Sequence, residues 1–217
     1  MPVRHVFIAV LVMAIWGSNF VFISIALRDL SPLTLGAMRF LVTAIPAVFF
    51  IPRPKVNTGL LIAYGFTTFA LQFGLLFSGM QLGVSPGITS MILQVQVFFT
   101  IALSMVFFGE RPNFLKLVGA VVGFSGVVVV GMHSGSDVNL PGLLLLLGAA
   151  FSWAAGNLIA KGLRSANGLA LVVWGGLSAT PFLVAFAIYR EGLPTLEYFS
   201  KVSYATWGAF SYTVLLS

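Results

Sequence analysis

Seven apolar runs, each close to the roughly 20 residues a helix needs to cross a hydrocarbon core, fill most of this 217-residue chain. They fall near residues 6–27, 32–51, 59–81, 86–108, 115–132, 141–161 and 169–189. Turn-forming residues separate them: Ser31-Pro32, Pro52-Arg53-Pro54, Ser85-Pro86, Pro112-Asn113 and Pro141-Gly142. Hydrophobic residues make up 59% of the chain and charged residues 7%, so no soluble core of this size can hide the apolar surface. A lipid bilayer has to cover it. In hydrocarbon every backbone N–H and C=O must be satisfied within its own segment, which selects helices. The expected fold is an all-α polytopic membrane protein with seven full transmembrane helices. An eighth run starts near Tyr204 and extends only about 14 residues to Ser217, so it is read as part of an eighth helix in which the chain ends. The first run is read as a retained helix, because it is too long for the apolar region of a signal peptide and lacks an A-x-A cleavage site.

The formal net charge of +6 comes from eleven Lys and Arg scattered singly or in pairs, with no basic block, and this excludes a nucleic-acid partner. The scatter reads instead as membrane topology. Arg4, Arg53, Lys55, Arg111, Lys116, Lys161 and Arg164 fall on one side, and Arg28, Arg190 and Lys201 on the other. The positive-inside rule then places the N-terminus in the cytoplasm. The chain has no Cys, so disulfides, thiolate metal sites and Cys nucleophiles are ruled out, and nothing in it implies a metal or cofactor.

A weak internal repeat is visible. Trp16-Gly17-Ser18-Asn19-Phe20 in the first run is echoed by Trp153-Ala154-Ala155-Gly156-Asn157 in the sixth, five helices later. An odd number of spans per repeat inverts the second copy, and inverted repeats place a substrate site near the midplane between them. The expected units are residues 1–132, with five helices, and residues 141–217, with two helices and the start of a third.

Six motifs in order carry a resemblance: Trp16 to Phe20, Arg39-Phe40, Arg53-Pro54-Lys55-Val56, Leu93 to Thr100, Phe108-Gly109-Glu110-Arg111, and Ala149 to Asn157. Together they resemble the EamA family of the drug/metabolite transporter superfamily along essentially the whole chain. The resemblance implies a ten-helix bundle of two inverted five-helix repeats, with both termini cytoplasmic and a central cavity. It also implies export of small amino-acid metabolites, O-acetylserine and cysteine among them, across the inner membrane. This chain would hold the first repeat and about half of the second.

Polar residues inside spans are the candidates for a pathway, because hydrocarbon penalises them. Trp16 and Asn19 share a helix face with Phe20 one position on; they line a cavity, or they form a packing seam in which Asn19 bonds a neighbour. Trp153 and Asn157 are their counterparts in the second unit. Gln94 and Gln96 project about 200° apart on a helix, so one of them at most faces the path, and Gln94 is taken for its more central position. Gln72 lines the cavity or makes an interhelical hydrogen bond. Arg39, charged and well inside a span, binds a substrate carboxylate, snorkels to the interface, or anchors helix-end carbonyls. Gly119, Gly123 and Gly126 form a small-residue face for packing inside the bundle or for a seam between copies of a homo-oligomer. Asp29, Glu110, Asp137, Glu191, Glu197, His5 and His133 all map to loops or helix ends, which favours facilitated export over proton coupling.

An enzyme would need a cluster of His, Asp, Ser or Cys at one depth, and the sequence shows none, so no catalytic residues are expected. The expected partners are the bilayer and a small solute. Other polar or aromatic solutes, a non-transporting scaffold and a lipid flippase remain the competing readings.

Overall fold

The computed structural model describes residues 3–133 and 139–216, and among these the chain is helix and turn without strand. The helices are α1 (Val3–Ala26), α2 (Pro32–Val48), α3 (Thr58–Gln81), α4 (Pro86–Phe108), α5 (Phe114–His133), α6 (Leu140–Lys161) and α7 (Gly168–Glu191). A short α8 (Leu196–Ser200) and α9 (Tyr204–Leu215) follow. Every apolar run is thus helical. Five helices, α1, α3, α4, α6 and α7, are long and apolar enough to cross a membrane, whereas α2 and the Phe114–Val129 part of α5 are shorter. The expected second run to residue 51 stops at Val48, where Phe50 and Ile51 turn back to the Ala47 carbonyl ahead of Pro52.

The residues that punctuate the sequence cap the helices. Asn57, Ser85, Asn139, Asn167 and Ser203 each accept a first-turn N–H with their side chains, and Pro32, Pro86 and Pro141 occupy first-turn positions where no N–H is needed. Successive helices run in alternating directions. At one end Asn139 Nδ2 donates to the Leu82 carbonyl and Ser203 bonds Asp29; at the other Trp174 Nε1 donates to the Ile51 carbonyl and Lys161 meets Glu110.

α3 lies between α6 and α7, and glycines set its distance from both. A Cβ on Gly65 would collide with the Gly175 carbonyl and Ser178 of α7, one on Gly156 of α6 would collide with Thr68, and one on Gly79 would press on Leu146. A π-helical segment, Phe66–Leu71, interrupts α3 at this crossing, and there the Thr67 carbonyl accepts from Ser152 Oγ of α6 at 2.9 Å. α3 also makes the most extensive helix pair, with α6; α2 packs closely along α7, and α1 packs on α9. α5 is peripheral: it meets α4 through Phe98 and Phe124, ring centroids 5.6 Å apart. Of its expected glycine face only Gly123 meets the bundle, a Cβ built there lying 3.4 Å from the Phe98 ring of α4, whereas nothing lies within 4 Å of one built on Gly119 or Gly126.

Carboxylates tie one end together. Ser31 makes no side-chain cap for α2; instead Glu191, the last residue of α7, accepts the Leu33 and Thr34 N–H groups at 2.8 and 2.9 Å and the Ser31 and Thr34 hydroxyls at 2.6 and 2.8 Å. Asp29 does the same for α9, accepting the Ser203 N–H and hydroxyl and the Thr206 hydroxyl. The Ser203 hydroxyl, then Thr206 and the Ser203 N–H, pull the Asp29 carboxyl down to about 2.

Two outcomes are expected. Gly65→Ala should lower unfolding stability in mixed micelles by about 1–3 kcal/mol through overpacking, whereas Gly119→Ala, in open space, should leave it nearly unchanged. A folded-state carboxyl pKa below the unfolded value stabilises above the unfolded pKa and loses that contribution as pH falls through the folded one. The difference in melting temperature between the native chain and Asp29→Asn should therefore persist from neutral pH to about pH 4 and vanish as pH falls through about 2.

Candidate functional site

The polar side chains of α4 and α6 form two matching stripes. Gln96, Thr100 and Ser104 lie four residues apart on α4, and Trp153, Asn157 and Lys161 lie four apart on α6, so each set shares a helix face. The stripes meet. Asn157 Nδ2 donates to Gln96 Oε1 at 3.1 Å and to Thr100 Oγ1 at 3.3 Å, and Thr100 Oγ1 donates to Gln96 Oε1 at 3.3 Å. One turn further along, Lys161 Nζ donates to Ser104 Oγ at 2.9 Å and to Glu110 Oε1 at 2.7 Å, with the Phe108 ring centroid 4.8 Å away. The result is a polar track running from the middle of the bundle to the end that carries the 109–113 loop.

Indole rings close the inner end of this track. Trp16 of α1 and Trp153 of α6 pack edge to face with centroids 6.2 Å apart, and Trp16 remains 51% exposed. At the other end the hydrogen bond from Lys161, reinforced by the charges of Lys161, Arg164 and Lys116, holds the Glu110 carboxyl below the usual carboxylate range. The track can hydrogen-bond a small polar solute through amide and hydroxyl groups, present one ammonium to a carboxylate, and cover an apolar portion with indole.

The candidates taken from sequence separate into groups. Trp16, Trp153 and Asn157 lie at the track, together with Gln96. Gln94 is exposed and makes no side-chain bond to it. The intervening turn tightens, with Gln94 and Val95 donating to the Met91 and Ile92 carbonyls three residues back. Asn19 and Gln72 are buried, and their Oδ1 and Oε1 atoms have no hydrogen-bond partner among the described residues. Phe20 packs on the main hydrophobic core. Arg39 does not snorkel: it is 6% exposed, with its guanidinium 4.8 Å from the Phe73 centroid and 5.7 Å from that of Phe40. Thr100, Ser104 and Lys161 escaped the sequence reading as site residues, although their four-residue spacing with Gln96 and Asn157 was the available signal. Asp29, Glu110, Glu191 and Glu197 all sit in turns, at a helix end or in α8; Asp137 lies outside the described residues, as does the His133 side chain. Among the described residues no group of His, Asp or Glu is arranged to hold a metal ion.

The profile of the EamA-like transporter family matches residues 3–132. A probable amino-acid metabolite efflux pump of Escherichia coli (strain K12) is 42% identical over 196 residues, covering 87% of this chain and 65% of that protein. Its counterpart of the same description in Salmonella typhimurium (strain LT2) is 40% identical over 193 residues, 86% and 64% of the two chains. An uncharacterized inner membrane transporter of Escherichia coli (strain K12), YedA, is 26% identical over 203 residues, 88% and 65%. The chain thus spans just under two thirds of the length of these relatives.

Interhelical hydrogen bonds in membrane proteins average about 0.6 kcal/mol in double-mutant cycles and reach about 1.7. A cycle of Asn157→Ala and Gln96→Ala, read by unfolding in mixed micelles, should give a coupling in that range. A cycle of Asn157→Ala and Gln94→Ala should give none.

Proposed function

The chain belongs to the EamA-like transporter family, and on that premise we propose that it moves small amino-acid metabolites of the O-acetylserine and cysteine kind out of the cytoplasm, along the polar track between α4 and α6. The track is the observation that carries this reading. Its amide, hydroxyl and ammonium groups match the hydrogen-bonding needs of a small zwitterion, and two of the relatives are described as amino-acid metabolite efflux pumps. Membership of a transporter family, and these relatives, point to transport rather than catalysis.

The membrane reading counts α1 to α7 as seven spans and α9 as part of an eighth, with the short α2 and α5 crossing beside their neighbours. Residues 1–132 form one five-helix unit, and residues 141–217 belong to a second, inverted one. Helix pairing supports this division. If α1, α2 and α3 correspond to α6, α7 and α9, the α1–α9 contact is the counterpart of α3–α6, and α2–α9 that of α3–α7; all four occur. Corresponding elements also meet each other, α2 with α7 and Trp16 with Trp153, as expected beside a pseudo-twofold axis. The end with Arg53, Lys55, Arg111 and Arg164 faces the cytoplasm, which puts the N-terminus of α1 there too, in the inner membrane.

At the cytoplasmic end Lys161 is shared between Ser104 and Glu110. A substrate carboxylate entering the track competes with Glu110 for this ammonium, then exchanges hydrogen bonds with Asn157 and Gln96 deeper in. The described mid-span residues include no carboxylate or His, which favours movement down the substrate gradient over proton coupling by this chain's own residues.

Reconstitution into liposomes tests the reading. Labelled O-acetylserine should undergo counterflow that cysteine competes more effectively than phenylalanine. Asn157→Ala and Lys161→Gln should each reduce it about tenfold or more, the loss expected when an interaction of about 1.4 kcal/mol is removed, and Lys161→Arg should restore part of it. Wild-type counterflow unaffected by either substitution would place the pathway elsewhere. Counterflow competed equally by phenylalanine would replace the substrate class with a broader one. A silent wild type, with the 42% identical pump active in the same liposomes, would remove the transport reading for this chain.

A further inference from the structure

The end of the bundle carrying the 49–57 loop holds a cavity of about 460 Å³ that lies off the polar track. It is formed where that loop meets the start of α7, and its walls include Phe50, Arg53, Lys55, Asn167 and Leu169. The two walls are fixed to each other: Trp174 Nε1 of α7 donates to the Ile51 carbonyl at 2.9 Å. Asn167 caps α7 by accepting the Leu169 N–H at 2.8 Å, so the positive end of a 24-residue helix opens on the cavity.

The charges here lack partners of opposite sign. Neither Arg53 nor Lys55 has a carboxylate within salt-bridge distance among the described residues, where the ion pairs are Lys161 with Glu110 and Lys201 with Glu197. Arg53 spends one donor on Thr58 Oγ1, at 2.6 Å, a neutral partner that leaves its charge uncompensated. Exposed apolar side chains share the same walls: Phe50 is 85% exposed and Leu169 61%. Two exposed cations and a helix N-terminus beside exposed apolar side chains match an amphiphile with an anionic head. A soluble anion would satisfy the cations and leave Phe50 and Leu169 bare.

We propose that this cavity is a headgroup site for an anionic phospholipid, with the lipid phosphate between Arg53, Lys55 and the α7 N-terminus and an acyl chain lying on Phe50 and Leu169. Basic recesses between helices on the cytoplasmic side bind lipid headgroups by this chemistry, and the proposal rests on the membrane orientation read above but not on the transported substrate.

The test is native mass spectrometry of the full chain released from mild detergent, titrated with phosphatidylglycerol and with phosphatidylcholine of the same acyl chains. At least one phosphatidylglycerol should be retained in preference to phosphatidylcholine. Each cation near an anionic lipid contributes about fivefold, so Lys55→Gln should weaken retention about fivefold and Arg53→Gln with Lys55→Gln about twenty-five-fold. Lys55 makes no side-chain hydrogen bond among the described residues, so its single variant decides the matter if the double variant folds poorly. Arg111→Gln with Lys116→Gln, at the same end but outside the cavity, should change nothing. Equal retention of the two lipids, or an equal loss in the Arg111 and Lys116 variant, would overturn the site. Displacement of phosphatidylglycerol by millimolar inorganic phosphate would overturn the lipid as its occupant in favour of a soluble anion.

Discussion

Close backbone contact between α3 and its neighbours α6 and α7 fixes the position of everything else in this bundle. In a bilayer, apolar side chains gain nothing by leaving lipid for one another, so helices associate through van der Waals fit and a few hydrogen bonds. Glycine makes the fit possible: Gly65 against Gly175, Gly156 against Thr68, and Gly79 against Leu146 leave no room for a Cβ without displacement of a neighbour. On α6 the face turned to α3 is Ser152 and Gly156, the one bonded to the Thr67 carbonyl and the other pressed on Thr68. Trp153 and Asn157 come one residue later, rotated by about 100° on the helix. Docking α6 on α3 therefore presents Trp153 to α1 and Asn157 to α4. The polar track is a consequence of that crossing.

The two ends of the bundle are closed by different physics. At one end Asp29 and Glu191 each cap a helix from a distant part of the chain, accepting backbone N–H groups and hydroxyls that have no other acceptor of comparable strength. A carboxylate at a helix N-terminus also interacts favourably with the helix dipole. Separating those helices strands several donors at once. At the other end closure over the track rests on one pair, Lys161 with Glu110, whose carboxylate is 53% exposed. Exposed pairs of this kind are screened by solvent and contribute little. Of the two closures, the end with Lys161 is the easier to open.

How far the sequence disclosed this arrangement depended on the range of the signal. Apolar runs of helical length and their Pro, Ser and Asn boundaries are local, and the helices follow them to within a few residues. Trp16, Trp153 and Asn157 could be picked out because a repeat echo is also a local comparison. The choice between Gln94 and Gln96 was not local. It turned on the tightened turn at Gln94–Val95 and on which face of α4 meets Asn157, and neither is written in the spacing of the two glutamines. The π-helical segment of α3 and the short α8 left no sequence mark either. Lys161 was visible throughout but counted as a topology charge, since a lysine at a helix end usually serves only that purpose.

Arg39 shows why a charge inside a span does not by itself locate a pathway. A buried guanidinium is costly in a medium of low dielectric, and contact with aromatic faces recovers part of that cost. Here the faces belong to Phe40 on its own helix and Phe73 on α3. Both rings flank the guanidinium, whereas the hydrogen bonds of the track run between α4 and α6. Lys161 differs on each count. Its ammonium is partly exposed, it already holds a carboxylate in Glu110, and it continues the stripe that bears Asn157. An anion that replaced Glu110 would uncover no buried charge, and for that reason the proposed pathway assigns a substrate carboxylate to Lys161 and not to the arginine sealed in the core.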